Sequence, residues 1–252
     1  WARRRAYHDA LEPRPRPVLD APTARGLLGV GITALLLAVL DLGVPLGLRA
    51  HYLRAHGIAA NGLLQSAIAL AQQLSAAFIA YLWSYAFGRL SAAGGPTGIR
   101  DYTRKHWKAL VMVAAAAFAL VMLMSGPLLA LFYSSEFAVA RPLMAWTLLA
   151  EFCRVMTQVW SLGVLPLGAV RAWIAIGVVG PVAYVLGYVL LAPVAGTLAM
   201  PMAAASGALI QLGVAGVLMS RRGVTLRPGD AALLLVVLGV LAVLARWVSG
   251  TP

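Results

Sequence analysis

Apolar residues occur along this chain in long runs that short polar segments separate. Seven of these runs are long enough to cross a bilayer, because a transmembrane helix needs about 20 consecutive apolar residues. The runs are Gly26–Gly47, Gly62–Phe87, Ala109–Tyr133, Pro142–Gly163, Arg171–Val194, Ala199–Met219 and Ala231–Val248. The pattern therefore predicts an all-α integral membrane protein, a bundle of about seven transmembrane helices.

Composition supports this prediction and removes several classes of function. Hydrophobic residues make up 62% of the 252 residues and charged residues 11%, whereas a soluble domain carries about 25% charged residues. The four histidines, His8, His51, His56 and His106, lie in predicted loops or at predicted helix ends without metal-ligand spacing. Because the sequence also lacks a nucleophile motif and a phosphate-binding glycine loop, it predicts no catalytic residue, metal or cofactor.

Basic residues are distributed unevenly between the predicted loops. If residues 1–25 are cytoplasmic, the inner segments hold fifteen of the 20 basic residues, the outer segments hold four, and Arg154 lies within a span. The inner set is Arg3, Arg4, Arg5, Arg14, Arg16, Arg25, Arg89, Arg100, Arg104, Lys105, Lys108, Arg171, Arg221, Arg222 and Arg227, and the outer set is Arg49, Arg54, Arg141 and Arg246. This bias predicts a cytoplasmic N-terminal end and a periplasmic C-terminus. We therefore interpret the net charge of +12 as setting the orientation in the membrane and attracting anionic lipid, not as binding nucleic acid.

The first 25 residues differ from the rest of the chain. They are basic and rich in proline and have no apolar core, so residues 1–25 are predicted to form a cytoplasmic linker. Because the chain begins with Trp1 and no signal peptide precedes the first run, we interpret it as a piece of a longer protein. A natural start with a processed N-terminus is the alternative.

The fourth run contains charged residues in its middle, within "LLAEFCRVMTQVW". At about 100° per residue, one helical stripe holds Thr147, Glu151, Arg154, Gln158 and Ser161, and such a stripe cannot face lipid. Glu151 and Arg154 are three residues apart and can neutralise each other, so polar contacts between packed helices are one interpretation. The functional hypothesis is a water-filled cavity in which Arg154 meets an anionic ligand and Glu151 holds it or titrates.

Weaker polar patterns occur in three other runs. Gln65 and Gln72 share a face of the second run, where hydrogen bonds between helices would also explain them. Asp41, in the first run, has no cation among its helical neighbours and needs a partner from another helix or a proton. The glycines of the fifth run predict close helix packing, and a helix broken at Gly180-Pro181 is the alternative.

Six stretches follow the order and spacing of one transporter family. They are "GVPLGLRAHYLRAHG", "NGLLQSAIALAQQL", "SYAFGRLS", "LLALFYSSEFAVAR", "LLAEFCRV" and "LAPVAGTLAM". On these stretches the chain resembles the C-terminal half of O-antigen and related polysaccharide lipid flippases, members of the multidrug/oligosaccharidyl-lipid/polysaccharide exporter superfamily. The matched positions are Arg49, Gly62, Gln65, Tyr85, Leu90, Ser91, Ser134, Phe137, Glu151, Arg154, Pro193 and Gly196. The chain departs from the family at Gln72, where an acid is expected, at Gly88, where a proline is expected, and at Ser125 and Gly126, where an Arg-Asp pair is expected.

The resemblance implies a function for the polar residues. Residues 26–222 would be the C-terminal six-helix lobe of a two-lobe exporter whose N-terminal lobe is missing here, and residues 223–252 would add one transmembrane helix. The implied substrate is an undecaprenyl-diphosphate-linked glycan for O-antigen or another surface polysaccharide, which alternating access moves across the bacterial inner membrane. The implied substrate-path residues are Arg49, Gln65, Gln72, Glu151, Arg154 and Gln158, and the implied coupling residues are Asp41 and Glu151. Arginine suits the diphosphate because it donates two parallel hydrogen bonds to such oxygens.

Four alternatives to this function remain open at the level of sequence. A drug or cation antiporter of the same superfamily would favour acids over arginines in its cavity. A peptidoglycan-precursor flippase would share the architecture. An integral-membrane glycan polymerase or ligase is disfavoured, because the longest predicted outer segment is about a dozen residues. A scaffolding membrane protein would tolerate apolar residues at Glu151 and Arg154.

Overall fold

A computed structural model describes residues 21–92 and 95–250, and helices account for all the regular structure within these ranges. The α-helices are α1 (Ala21–Tyr81), α2 (Phe87–Ala92), α3 (Pro96–Leu123), α4 (Ser125–Phe132), α5 (Arg141–Val164), α6 (Val170–Ala195), α7 (Ala199–Ser220) and α8 (Pro228–Ser249). A π-helical turn spans Leu82–Ala86, and 3-10 helices span Ser135–Ala140 and Gly196–Leu198. The predicted all-α fold is confirmed for the described ranges.

Two compact units divide the chain, residues 1–36 and residues 37–252. In the first unit the described residues are 21–36, which belong to α1, so the rest of the predicted linker lies outside the described residues. Pro22 stands in the first turn of α1, where a missing backbone N–H leaves no helical hydrogen bond unmade. The helix therefore begins inside the segment that the sequence predicts as linker.

Four described segments are long and apolar enough to span a membrane, Leu28–Ala92, Pro96–Leu123, Val170–Ser220 and Pro228–Ser249. The first has 65 residues and contains two helical parts on either side of Gly57, each long enough at 1.5 Å per residue to cross a hydrocarbon core of about 30 Å. The third contains α6 and α7, joined by a turn at Gly196. The chain is therefore a membrane-embedded helical protein, while the number of seven spans stays a prediction.

The segment between the first two predicted runs contains the break that separates two helical parts of α1, and helix continues up to that break from both sides. Its one break is at Gly57, with φ 83° and ψ 176°, a backbone conformation that glycine adopts without steric cost. His56 directly precedes this break, which agrees with its predicted place at a helix end. His51 lies inside the first helical part of α1 and His106 lies inside α3, so the same prediction is wrong for these two residues. Alanine, leucine and arginine around Gly57 are good helix formers, which explains why both helical parts extend beyond the two apolar runs. His8 lies outside the described residues.

Helix α5 is the centre of the second unit. It packs against α3, α6, α7 and α8, and most of its side chains are buried. Its apolar positions include Met144, Leu148, Phe152 and Met156, all fully buried. Because neighbours enclose α5, its polar stripe faces protein or a cavity between helices and not lipid.

Glycines bring α6 and α7 into close contact. A Cβ atom added at Gly207 would lie 2.9 Å from the backbone nitrogen of Tyr184, and one added at Gly187 would lie 3.0 Å from Ser206 Oγ. Helix α6 continues through Gly180 and Pro181 without interruption. The predicted close packing of small residues is therefore confirmed, and the alternative of a helix broken at this point is wrong.

Helix α8 belongs to the same compact unit as the preceding helices. Arg104 donates hydrogen bonds to Thr225 from Nε to the carbonyl oxygen at 2.8 Å and from Nη2 to Oγ1 at 3.0 Å. Trp107 Nε1 donates to the carbonyl oxygen of the buried Asp230, and Lys108 Nζ lies 3.7 Å from Asp230 Oδ1. The helix that the sequence treats as a separate addition at 223–252 is thus attached to α3 at its first turn.

Arg104→Ala is expected to loosen the attachment of α8. Both hydrogen bonds to Thr225 are lost, and bonds from a charged donor contribute about 1.5–3 kcal/mol each, so opening of the segment before α8 should rise about tenfold or more. Limited trypsin cleavage after Arg221 and Arg222 measures this opening. The control is Arg100→Ala, which removes a surface pair with Asp101. Equal cleavage rates in the two variants would show that Arg104 does not hold α8.

Candidate functional site

Polar side chains from four helices meet at one cavity of about 320 Å³ between α1, α5, α6 and α7. We call it the polar cavity. Its charged and polar lining residues are Asp41, Arg49, Gln65, Gln72, Thr147, Glu151, Arg154, Tyr184 and Gln211. Five of the six predicted path residues and both predicted coupling residues therefore lie around one space, although 113 residues separate the first of them from the last along the chain.

Arg154 bridges two carboxylates in this cavity. Its Nη1 lies 3.7 Å from Glu151 Oε1, and its Nη2 lies 3.8 Å from Asp41 Oδ1. Asp41 thus has the partner from another helix that its isolated position in the first run requires. The Arg154 side chain is 38% exposed and that of Asp41 is 64% exposed, so this pair is open to the cavity. An incoming anion can therefore reach the guanidinium without unfolding a helix.

Glu151 is the buried member of the cluster. Its side chain is 6% exposed, and its second oxygen, Oε2, accepts a hydrogen bond from Ser75 Oγ at 2.6 Å. Burying a carboxylate is costly unless charge and hydrogen bonds compensate it. Here Arg154 and Ser75 engage one oxygen each, which ties α5 to the second half of α1.

Arg49 is held differently from Arg154. Its Nε donates a hydrogen bond at 2.9 Å to Oδ1 of Asn61, on the other side of the helix break at Gly57. Asn61 is neutral, so this contact orients the guanidinium without cancelling its charge. The polar cavity therefore contains one arginine that two carboxylates neutralise and one that a neutral amide positions.

Gln211 contributes from α7 through a gap in α6. Its Nε2 donates to the carbonyl oxygen of Ile176 at 2.9 Å. A Cβ atom at Gly180 would lie 2.6 Å from Cδ of Gln211, so the glycine is what admits this side chain. The contact satisfies the amide within the packed pair of helices and leaves it at the cavity wall.

Two residues of the predicted α5 stripe lie outside the polar cavity. Gln158 is half-buried and is not part of its lining, and the hydroxyl of Ser161 donates to the carbonyl oxygen of Thr157 at 3.1 Å. Gln158 lies seven residues beyond Glu151, which is about 10 Å along the helix axis. The stripe is continuous on α5, but only its part from Thr147 to Arg154 lines the cavity.

Three lining or supporting residues were not singled out from the sequence. Ser75 lies three residues after Gln72, one turn further along α1, so its position near that face is visible in the sequence. Gln211 is the largest polar residue in "AMPMAAASGALIQLGVAGVLMS", which is a usable signal. Tyr184 stands in an apolar stretch where aromatic residues are ordinary, and the sequence offers no reason to prefer it.

The charges of the polar cavity balance. Two arginines, Arg49 and Arg154, and two carboxylates, those of Asp41 and Glu151, line it together with uncharged hydrogen-bonding groups. Such a site can bind an anion at the arginines, and can bind a cation or proton at the carboxylates once Arg154 turns away.

No family model, curated protein or solved structure matches this chain.

Proposed function

We propose that this chain is one lobe of a transporter that moves undecaprenyl-diphosphate-linked oligosaccharide across the bacterial inner membrane. The observation that carries the proposal is the polar cavity, which places Arg49 and Arg154 among amide and hydroxyl groups inside an apolar helical protein. The six stretches that resemble polysaccharide lipid flippases support the choice of substrate. The glycan would serve O-antigen or another surface polysaccharide.

The chemistry of the cavity fits the three parts of such a substrate. The prenyl chain stays in the hydrocarbon, the diphosphate accepts hydrogen bonds from the two guanidinium groups, and the sugars bond to Gln65, Gln72 and Gln211. The protein would move the substrate by rocking against a second, N-terminal lobe and would not alter it chemically. The N-terminal end would be cytoplasmic and the C-terminus periplasmic.

Competition for Arg154 provides a route to coupling. When the diphosphate binds this guanidinium, Asp41 and Glu151 lose their cationic partner and become sites for a proton or another cation. Release of the glycan would restore the ion pairs and expel the cation. The anionic diphosphate at Arg154 and the cation at Asp41 and Glu151 would thus occupy the cavity together.

Cation or drug antiport is the second candidate function. The observation that favours it is the 64% exposure of the Asp41 side chain, which leaves a carboxylate accessible to a cation without a lipid-linked substrate. A peptidoglycan-precursor flippase would use the diphosphate chemistry proposed above with a different glycan. The nature of the transported molecule separates these candidates.

Arg49→Gln is expected to reduce transport of lipid-linked glycan at least tenfold, because a hydrogen bond to a charged group contributes about 1.5–3 kcal/mol. The assay expresses the protein that carries this chain in a host without its own flippase and measures glycan on intact cells. Arg54→Gln is the matched control, an exposed arginine five residues further along α1 and outside the cavity lining. Membrane protein levels are compared, since Arg49 also holds Asn61.

Three results would contradict the proposal. One is normal surface glycan in Arg49→Gln at normal protein level, and another is an equal loss in Arg54→Gln. The third is transport of an organic cation into proteoliposomes without movement of undecaprenyl-diphosphate disaccharide, which would favour antiport.

A further inference from the structure

A second cavity, of about 430 Å³, lies between the end of α1, the π-helical turn, α3 and α5. We call it the apolar cavity. Its volume falls in the range of roughly 300–1,000 Å³ that ligand sites have. It shares no lining residue with the polar cavity. Its contents therefore need not follow the transport cycle proposed above.

The apolar cavity has a hydrocarbon end and a polar end. Phe78 of α1 contacts Phe118 of α3 at a ring distance of 6.0 Å, and Tyr81, further along α1, interacts with Tyr102, nearer the beginning of α3, so the two helices run antiparallel along the cavity. Phe78, Leu110 and Val113 line the space towards that contact. Tyr102 and His106, with ring centroids 4.6 Å apart, line it towards the beginning of α3.

A cation stands just outside the polar end. The exposed Arg89 is not itself a lining residue, but its guanidinium carbon lies 5.5 Å from the ring centre of Tyr85, which stacks on Tyr81 in the cavity wall. The hydroxyl of Tyr102 is close enough to Arg89 to interact with its charge. The nearby Asp101 is paired with Arg100. This end of the cavity is therefore lined by the hydrogen-bonding groups of Tyr102 and His106 and has the cation of Arg89 beside it.

The π-helical turn shapes this wall. Residues Leu82–Ala86 form it, and both Leu82 and Ala86 line the cavity. π-Helical turns are rare in proteins and occur frequently at functional sites. Here the turn stands between the apolar length of the cavity and the cation at its end.

We propose that the apolar cavity binds an anionic phospholipid, with one acyl chain along Phe78, Leu110 and Val113 and the headgroup phosphate at Arg89, Tyr102 and His106. The apolar lining matches hydrocarbon and would exclude a polar ligand along most of its length. The cationic end complements a phosphate, and a headgroup with net negative charge interacts with it more strongly than a zwitterionic one. The bilayer supplies this ligand at high concentration.

The first test fills the space. Ala109 lines the cavity from α3, whereas Ala116, exposed on the same helix, does not. The chain is purified into nanodiscs or detergent containing phosphatidylglycerol, and retained lipid is counted by native mass spectrometry. Ala109→Phe is expected to lose one bound lipid, and Ala116→Phe is expected to retain it. Ala77→Phe fills the cavity from α1 and repeats the test if Ala109→Phe does not fold.

The second test concerns the headgroup. The wild-type chain is expected to retain phosphatidylglycerol in preference to phosphatidylcholine, and Arg89→Gln to weaken that preference about fivefold. Arg171→Gln, at an exposed arginine of α6, is expected to leave it unchanged. Equal lipid counts in wild type and both filled variants would overturn the site. Retention without headgroup preference would overturn its anionic character, and a dimer that Ala109→Phe disrupts would assign the cavity to a second copy of the chain.

Discussion

Arg154→Ala is expected to lower the free energy of unfolding by about 3 kcal/mol. The substitution leaves the carboxylate of Glu151, whose side chain is 6% exposed, with Ser75 but without its cation, and an unpaired buried charge costs about 3–5 kcal/mol. The lower end applies because Arg154 is 38% exposed and solvent screens the pair. Thermal or denaturant unfolding in a fixed detergent measures the change, with Arg54→Ala as the control.

A second substitution in the same cluster separates charge from packing. Glu151→Gln removes the unpaired charge while its amide oxygen can still accept the hydrogen bond from Ser75, so combined with Arg154→Ala it should recover most of the lost stability. If the double variant is no more stable than Arg154→Ala, the burial of Glu151 is not what the arginine compensates.

The same double variant separates stability from transport. We expect it to fold and yet fail to move lipid-linked glycan, because the cavity would then lack one of the two guanidinium groups that bind the diphosphate. A double replacement by leucine provides the complementary case. If that variant transports as well as wild type, the charges at Glu151 and Arg154 serve helix packing only, and the proposed path is wrong.

Gly207→Ala is expected to destabilise the pairing of α6 with α7 by about 2 kcal/mol. Its Cβ would lie 2.9 Å from the nitrogen and 3.1 Å from the Cα of Tyr184, which are backbone atoms that cannot rotate away. The helices must therefore separate, and overpacking of this kind costs about 1–3 kcal/mol. Because Tyr184 lines the polar cavity, transport should fall together with thermal stability.

Gly213→Ala, in the same helix, is a control that is not expected to lower stability. A Cβ added there would meet no described atom within 4 Å beyond its own helix backbone. Alanine is a better helix former than glycine by about 1 kcal/mol, so this variant should be unchanged or more stable. A loss of stability at Gly213 equal to that at Gly207 would show that helix propensity, not the contact with Tyr184, governs the result.

The local pattern of hydropathy and proline positions was sufficient to predict the helices in the second half of the chain. The ends of α5, α6, α7 and α8 lie within three residues of the ends of the corresponding apolar runs. Hydropathy and proline position act over a few turns of one segment and do not depend on its neighbours. The same reasoning placed Thr147, Glu151 and Arg154 on one side of α5, because helical periodicity alone decides which side chains share a face.

Hydropathy was insufficient to fix where the first two helices end. The residues around Gly57 contain arginine and histidine and resemble a loop by polarity, yet helix continues through them up to a break at Gly57 alone. Polarity reports the solvent that a segment faces, whereas helix formation depends on backbone hydrogen bonds and propensity. The third run shows the converse, because a break at Met124 divides it into α3 and α4 without a change in hydropathy.

By itself, the sequence determined that the protein is a membrane-embedded helical chain, which faces of its helices carry polar groups, and that Asp41 needs a partner. Only the tertiary structure decided that this partner is Arg154, that Ser75 shares Glu151, that Gln211 enters through the space at Gly180, and that Gln158 lies outside the cavity. The physical reason is that periodicity orients a side chain about its own helix axis. Which groups come within hydrogen-bonding distance depends on how the helices pack, and here glycine contacts such as that of Gly207 with Tyr184 set that packing.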